Sequence, residues 1–307
     1  MMARLFLISV LLLACLAAQA QQRPIQSLYM FDPLLLNPAY AGSQVQLSAT
    51  TTYRNQWVNF PGAPKTLTAS MHTGFKQNRV GLGFVASKDQ IGIHDESAFY
   101  FIYSYKLPIS RYKKSSFSFG LQGGFNALRS DYNLTISRDT DRFGVIRAFN
   151  PNFGAGVYYR DKKYYAGFSV PYILNTELLD ISTAFQSSAR RYRYYYLTGG
   201  FTHAFSKNLK VVPSTLIRFQ DRAPLSFDLT LLTILYDVVG LGFSYRWNDS
   251  LIGMFELQIN ENFHVGYAYD MTSSDLRQYS NGTHELMINY RIKITKLHQG
   301  LECPAYW

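Results

Sequence analysis

Disulfide stabilisation is the first thing this chain lacks the means for. Only Cys15 and Cys303 occur among 307 residues, and Cys15 lies in a segment expected to be removed, which leaves a single thiol and no internal pair. Charge is also scarce: Asp, Glu, Lys and Arg together make up 16% of the chain. The formal net charge is +10, yet no run of five or more Lys/Arg occurs. Basic residues scattered singly at turns suit solvated loops and anionic lipid, and nucleic acid is not an expected partner. Beyond the first twenty residues no stretch of about 18 apolar residues exists, so no helical membrane span is expected. G-x-S-x-G, H-E-x-x-H, P-loop and C-x-x-C patterns are missing too. The six histidines show no metal-ligand spacing. An enzyme, a metal site and a cofactor are therefore not expected.

The opening residues carry an export signal. Met1-Met2-Ala3-Arg4 supplies one positive charge, and the chain stays apolar from Leu5 to about Ala18. That run is too short to span a bilayer as a helix and ends at a small-x-small site, Ala18-Gln19-Ala20. Residues 1–20 are thus expected to be a signal peptide, with the mature chain starting at Gln21. Leu12-Leu13-Ala14-Cys15 offers a rival lipoprotein cleavage site, disfavoured by the apolar residues that follow it. Either route takes the protein out of the cytoplasm.

What is abundant is aromatic: 24 Tyr and 22 Phe. From Gln44 onward the chain is a series of roughly ten-residue segments with period-two alternation. Val45, Leu47, Ala49, Thr51 and Tyr53 share one face, and Gln46, Ser48, Thr50, Thr52 and Arg54 the other. Val239, Leu241, Phe243, Tyr245 and Trp247 likewise oppose Gly240, Gly242, Ser244 and Arg246. Fourteen such segments can be drawn: 44–54, 65–75, 79–87, 98–107, 115–128, 152–160, 163–172, 191–205, 209–219, 225–235, 238–247, 250–259, 263–271 and 283–292. Short turns alternate with mostly longer connections. Strands of this length, aromatic at both ends, match a tilted transmembrane strand better than a soluble sandwich strand. Lipid offers backbone groups no hydrogen-bond partner, so such a sheet must close. The expected fold is an all-β outer-membrane barrel of about fourteen antiparallel strands over 44–292. An even strand count would put both termini in the periplasm, with 293–307 as a tail there.

Few charges fall on the lumenal phase. Arg54, Arg246, Asp270 and Glu285 cluster at the external rim, with the last segment closing on the first and bringing Glu285 near Arg54. They could form a partner site at the mouth, or ion pairs that fix the seam; the cost of a buried unpaired charge favours ion pairs. Glu256 and Arg218 are expected deeper, and His72 and His264 on distant lumenal positions. Gly81-Leu82-Gly83 and Gly154-Ala155-Gly156 are ascribed to barrel curvature and close packing. Ahead of the barrel, residues 21–43 are apolar but broken by Pro33 and Pro38, so they form neither a strand nor a long helix. They must bury against the barrel interior, its periplasmic rim or another protein.

Three ordered blocks carry a family resemblance. Met30-Phe31-Asp32-Pro33 through Asn37-Pro38-Ala39-Tyr40-Ala41-Gly42 resembles the opening signature of the PorP/SprF family of Bacteroidota. Tyr53-Arg54-Asn55-Gln56-Trp57 followed by Gly62-Ala63-Pro64-Lys65-Thr66 is similar to its second block. Tyr269-Asp270-Met271 through Gly282-Thr283-His284-Glu285-Leu286 is similar to its closing block, with Thr283 where Ser is commoner. The resemblance implies an outer-membrane component of type IX secretion and gliding motility. Its partners would be periplasmic and lipoprotein parts of that machine and a secreted surface adhesin, with outer-membrane lipid around it. No catalytic residues come with it; Asn37, Pro38, Tyr40, Gly42, Arg54, Trp57, Pro64, Asp270 and Glu285 carry over as signature positions only. A passive porin or hydrophobic-substrate channel is the other function this pattern allows.

Overall fold

The computed structural model describes residues 26–292 except 45, 76–78, 111–114, 135–143, 175–176, 180–185, 191–192, 221–222 and 274. The expected signal peptide, the tail 293–307 and Cys303 lie outside the described residues.

Seven strands come first: β1 (Leu47–Asn55), β2 (Lys65–Phe75), β3 (Val80–Ile91), β4 (His94–Ser110), β5 (Ser115–Asp131), β6 (Val145–Arg160) and β7 (Tyr164–Val170). A small hairpin of β8 (Glu177–Leu179) and β9 (Gln186–Arg190) stands apart from the wall. The wall resumes with β10 (Tyr194–Phe201), continued past Thr202 by β11 (His203–Ser206), both on β12 (Leu209–Gln220). It ends with β13 (Ser226–Leu235), β14 (Val239–Arg246), β15 (Ser250–Gln258), β16 (Phe263–Thr272) and β17 (Thr283–Ile292). Each strand pairs antiparallel with its chain neighbour, and β1 pairs with β17, so the sheet seals into a closed barrel of fourteen strands.

Alternation sets which side each residue takes. On β1, Ser48, Thr50, Thr52 and Arg54 are buried in the lumen while Thr51 and Tyr53 face out. Outward residues stay exposed and apolar, as at Phe101, Leu121, Phe153 and Phe205, because lipid is their solvent. Aromatic side chains face outward near both rims, among them Trp247 at one end and Tyr164 and Tyr290 at the other.

Two details differ from the pattern expected of the sequence. The connection expected over 88–97 shrinks to Gly92-Ile93, because β3 runs on to Ile91 and β4 starts at His94; Gly92 takes the positive φ (57°) that a two-residue turn requires. β5 and β6 are lengthened in the same way. Polar stretches there looked like loops, yet a ribbon projecting beyond the bilayer needs only mutual backbone pairing, not an apolar face. The second difference concerns the termini. Leu47 and Ile292 do share a rim, the one with short turns. Residues 26–43, however, cross the lumen to reach β1, so Gln26 lies toward the opposite rim, where the longer connections are.

A barrel of this width is not filled by its own wall side chains. Here the N-terminal segment fills it, through two single-turn 3-10 helices at Pro33–Leu35 and Pro38–Tyr40. Leu28, Tyr29, Met30, Phe31 and Leu36 pack against an inward apolar strip that includes Val212, Leu216, Ile234 and Ile252. Leu34, Ala39, Tyr40 and Ala41 meet Ile102 and Tyr158 on the other side. Each fully buried Leu or Phe contributes about 1.5–3 kcal/mol.

Candidate functional site: a latched segment inside the barrel

Arg54 ends β1 on its lumenal phase, directly across the seam from Glu285 on β17. Its Nη1 donates to Glu285 Oε2 at 2.8 Å and to Ser27 Oγ at 2.7 Å, while Nη2 donates to Asp270 Oδ2 at 2.8 Å. Ser27 Oγ in turn donates to Asp270 Oδ2 (2.7 Å). Glu285 also accepts the backbone N–H groups of Ser27 (2.7 Å) and Leu28 (3.1 Å). The lumenal segment is thus tied by its N-terminal end to the carboxylate that closes the seam. Arg246 extends the chain of charges: its guanidinium grips both oxygens of Asp228 at 2.9–3.1 Å and lies 4.0 Å from Asp270. Glu285 is fully buried and the two arginines nearly so, and burial of that kind is tolerable only because each charge has a partner.

Of the sequence-derived cluster, Arg54, Asp270 and Glu285 meet in one contact, and Arg246 reaches its edge. Arg218 is a correction. It pairs in register with Ser226, the first residue of β13, and donates to its hydroxyl at 3.1 Å. That pairing, two residues short of the end of β12 at Gln220, places position 218 at the rim rather than the depth. Glu256 is indeed deeper, with His264 Nδ1 at 3.4 Å. Two partners escaped the sequence. Asp228 sits opposite Arg246 in the β13–β14 register and could have been found by aligning those two segments. Ser27 precedes every periodic segment, and no local pattern marked it.

The opening-block signature residues lie further along the segment and do not touch this cluster. Asn37 caps the second 3-10 turn through Oδ1 to Ala39 N (2.9 Å) and donates Nδ2 to Val157 O (2.9 Å). Pro38 starts that turn. Tyr40 stands edge-on between His72 and Tyr158, at 5.5 and 5.6 Å. Gly42 adopts φ +68°, and a Cβ there would come within 2.6 Å of Gly81 Cα. The wall beneath is glycine. A side chain on Gly81 would run into Ala41 O, one on Gly120 into Ala39 N, and one on Gly156 into Asn37 Oδ1. Gly81 therefore serves the close approach of another backbone and Gly156 that of the Asn37 side chain, the close packing expected of them.

The second and third blocks meet over the seam. Trp57 N donates to Thr283 Oγ1 (3.2 Å), Gln56 N to Pro64 O (3.0 Å), and Val58 N to Gly282 O (2.9 Å). The β1–β2 and β16–β17 connections are knitted together above the Arg54 cluster.

A void of about 20 Å³ lies among Tyr29, Met30, Leu36, Tyr158 and Tyr165, about enough for one water. Among the described residues no group of three or more His, Cys, Asp or Glu side chains is placed to hold a metal ion.

Comparison with known proteins adds the following. The family described as "Type IX secretion system membrane protein PorP/SprF" matches residues 18–290. No curated protein sequence matches the chain. Among solved structures, the CymD monoaromatic hydrocarbon channel is 14% identical with a TM-score of 0.53, over 87% of this chain and 92% of the channel. A FadL homologue of Pseudomonas aeruginosa is 10% identical (TM-score 0.45; 87% and 94% covered). The outer-membrane protein Omp33 of Acinetobacter baumannii is 11% identical (TM-score 0.44; 81% and 99% covered). At such identities the likeness is one of fold.

Proposed function

The chain belongs to the PorP/SprF family of type IX secretion system membrane proteins, and from that premise we propose that it is a sealed, non-enzymatic docking barrel of the secretion machine. The observation that carries this proposal is the filled lumen: residues 26–43 occupy the space a porin would leave to water. In this proposal the rim with longer connections faces outward, and there the connections around 129–151 and 173–190 meet a secreted surface protein. The tail 293–307 meets periplasmic and lipoprotein partners. The β4–β6 ribbons, at 16 and 17 residues per strand, exceed the roughly ten a bilayer needs and project beyond it.

Purification from native membranes tests docking directly. Secretion-machine components are expected with the full chain and are expected to be lost on truncation of 293–307. Recovery of none with the full chain would overturn the proposal. The passive-channel alternative predicts steady conductance in planar bilayers, whereas a filled lumen predicts none.

The lumen crossing also makes a topological prediction. An epitope placed after Gln22 should be labelled on intact cells, while one after Ile292 should be labelled only once the outer membrane is permeabilised. Labelling of both from the same side would contradict the crossing.

A further inference from the structure

The wall holds residues 26–43 partly through their main chain. Glu285 accepts two backbone N–H groups of the segment, as above. Ser169 Oγ donates to Leu36 O at 2.6 Å, Ser104 Oγ to Ala41 O at 2.6 Å, and Lys106 Nζ to Gly42 O at 2.9 Å. Four wall side chains on three strands therefore bind main-chain atoms, which every peptide possesses. Inward Gly81 and Gly120 add a floor that accepts the backbone of Pro38, Ala39 and Ala41 at contact distance. The remaining recognition is apolar and non-directional, through the strip around Val212, Leu216, Ile234 and Ile252. Side-chain polar contacts also hold the segment: Gln26 donates to Thr68, Ser27 to Asp270, Ser70 to Asp32 and Asn37 to Val157 O, and the Tyr29 hydroxyl meets that of Thr230.

We infer that the lumen is a peptide-binding site, occupied in cis by residues 26–43, and that an extended apolar segment of an exported protein takes the same seat. Main-chain hydrogen bonds supply affinity without sequence, and the glycine floor selects small residues at the positions of Ala39 and Ala41. The resident segment also fixes polarity. An occupant runs from the long-connection rim to the short-turn rim, so whatever precedes it in its own chain lies at the outer mouth. Residues 44–46 join the resident to β1, and the β1–β17 pairing that closes the wall includes none of it, so it leaves the seat while the barrel stays closed. This inference rests on the docking reading and names where the docked partner binds.

The test uses the full-length chain in detergent micelles, with a site-specific protease sequence inserted between Gln44 and Leu47 and cut after folding. A fluorescent synthetic peptide of residues 26–43 is then offered, and its anisotropy followed. It should replace the nicked resident. A peptide with Leu28→Ile, Met30→Leu and Phe31→Leu should compete within about tenfold, or ~1.4 kcal/mol. One with Ala39→Val and Ala41→Val should not compete. Glu285→Gln should speed release by about tenfold, since charge-assisted bonds to two N–H groups are lost. No exchange, or equal competition by the Ala39/Ala41 variant peptide, overturns the inference. Where nicking unfolds the barrel, hydrogen exchange of the intact chain decides: amides of 26–43 should open at lower free energy than those of β1 and β17, and opening only with the whole barrel overturns it. Co-purification of machine components together with absent exchange would sink this inference alone and leave the docking proposal standing.

Discussion

Arg54→Ala should be the most damaging single change at the seam, lowering stability by about 3–5 kcal/mol. Arg54 is the shared donor to Glu285, Asp270 and Ser27. Its removal leaves two carboxylates buried on neighbouring strands with no guanidinium between them, and Arg246 at 4.0 Å from Asp270 is already engaged by Asp228. Glu285→Ala should cost less, because Arg54 keeps Asp270, but it strands the Ser27 and Leu28 N–H groups and loosens the segment. Lys162→Ala, in the exposed turn between β6 and β7, should stay within about 0.5 kcal/mol of the parent. The temperature at which each variant loses its compact band on a heat-modifiability gel ranks them. Melting of Arg54→Ala and Lys162→Ala at the same temperature would show that the seam does not depend on this cluster.

The second large effect concerns a residue with no side chain. Gly120→Val places two methyl groups where Ala39 N, Pro38 C and Ala39 Cα lie, and overpacking of this kind costs about 1–3 kcal/mol or more. Strand propensity alone predicts the opposite sign, because valine suits a β-strand better than glycine. The lumenal segment, not the wall, should give way, so residues 26–43 become protease-sensitive and the barrel begins to conduct. Gly253→Ala is the control: its Cβ would point outward with nothing within 4 Å, and it should be silent in both assays. A closed, protease-resistant Gly120→Val protein would remove the glycine floor from the account.

The barrel was legible because lipid and lumen impose opposite solvents on alternate residues, and that period survives in the sequence. Arg54 and Glu285 were legible for the same reason: both lie on the lumenal phase at the ends of the first and last segments, which closure brings side by side. Arg218 was misplaced because its height follows from its pairing with Ser226 on β13, a register that neither segment states alone. The apolar lumenal strip left a trace, since Leu232 and Ile234 are buried inside while Leu229 and Leu231 are exposed outside, so the second half of β13 is apolar on both faces. A water-filled lumen would not tolerate that.

Sequence by itself therefore determined the strand period, the closure and the family blocks, since each is written in local order or in a one-dimensional pattern. Only the tertiary structure decided that residues 26–43 thread the lumen, that Ser27 is held by Glu285 across more than 250 residues of chain, and that glycines in separate strands form one floor. Contacts between an aperiodic segment and a periodic wall depend on how three-dimensional space is filled, and no spacing along the chain encodes them.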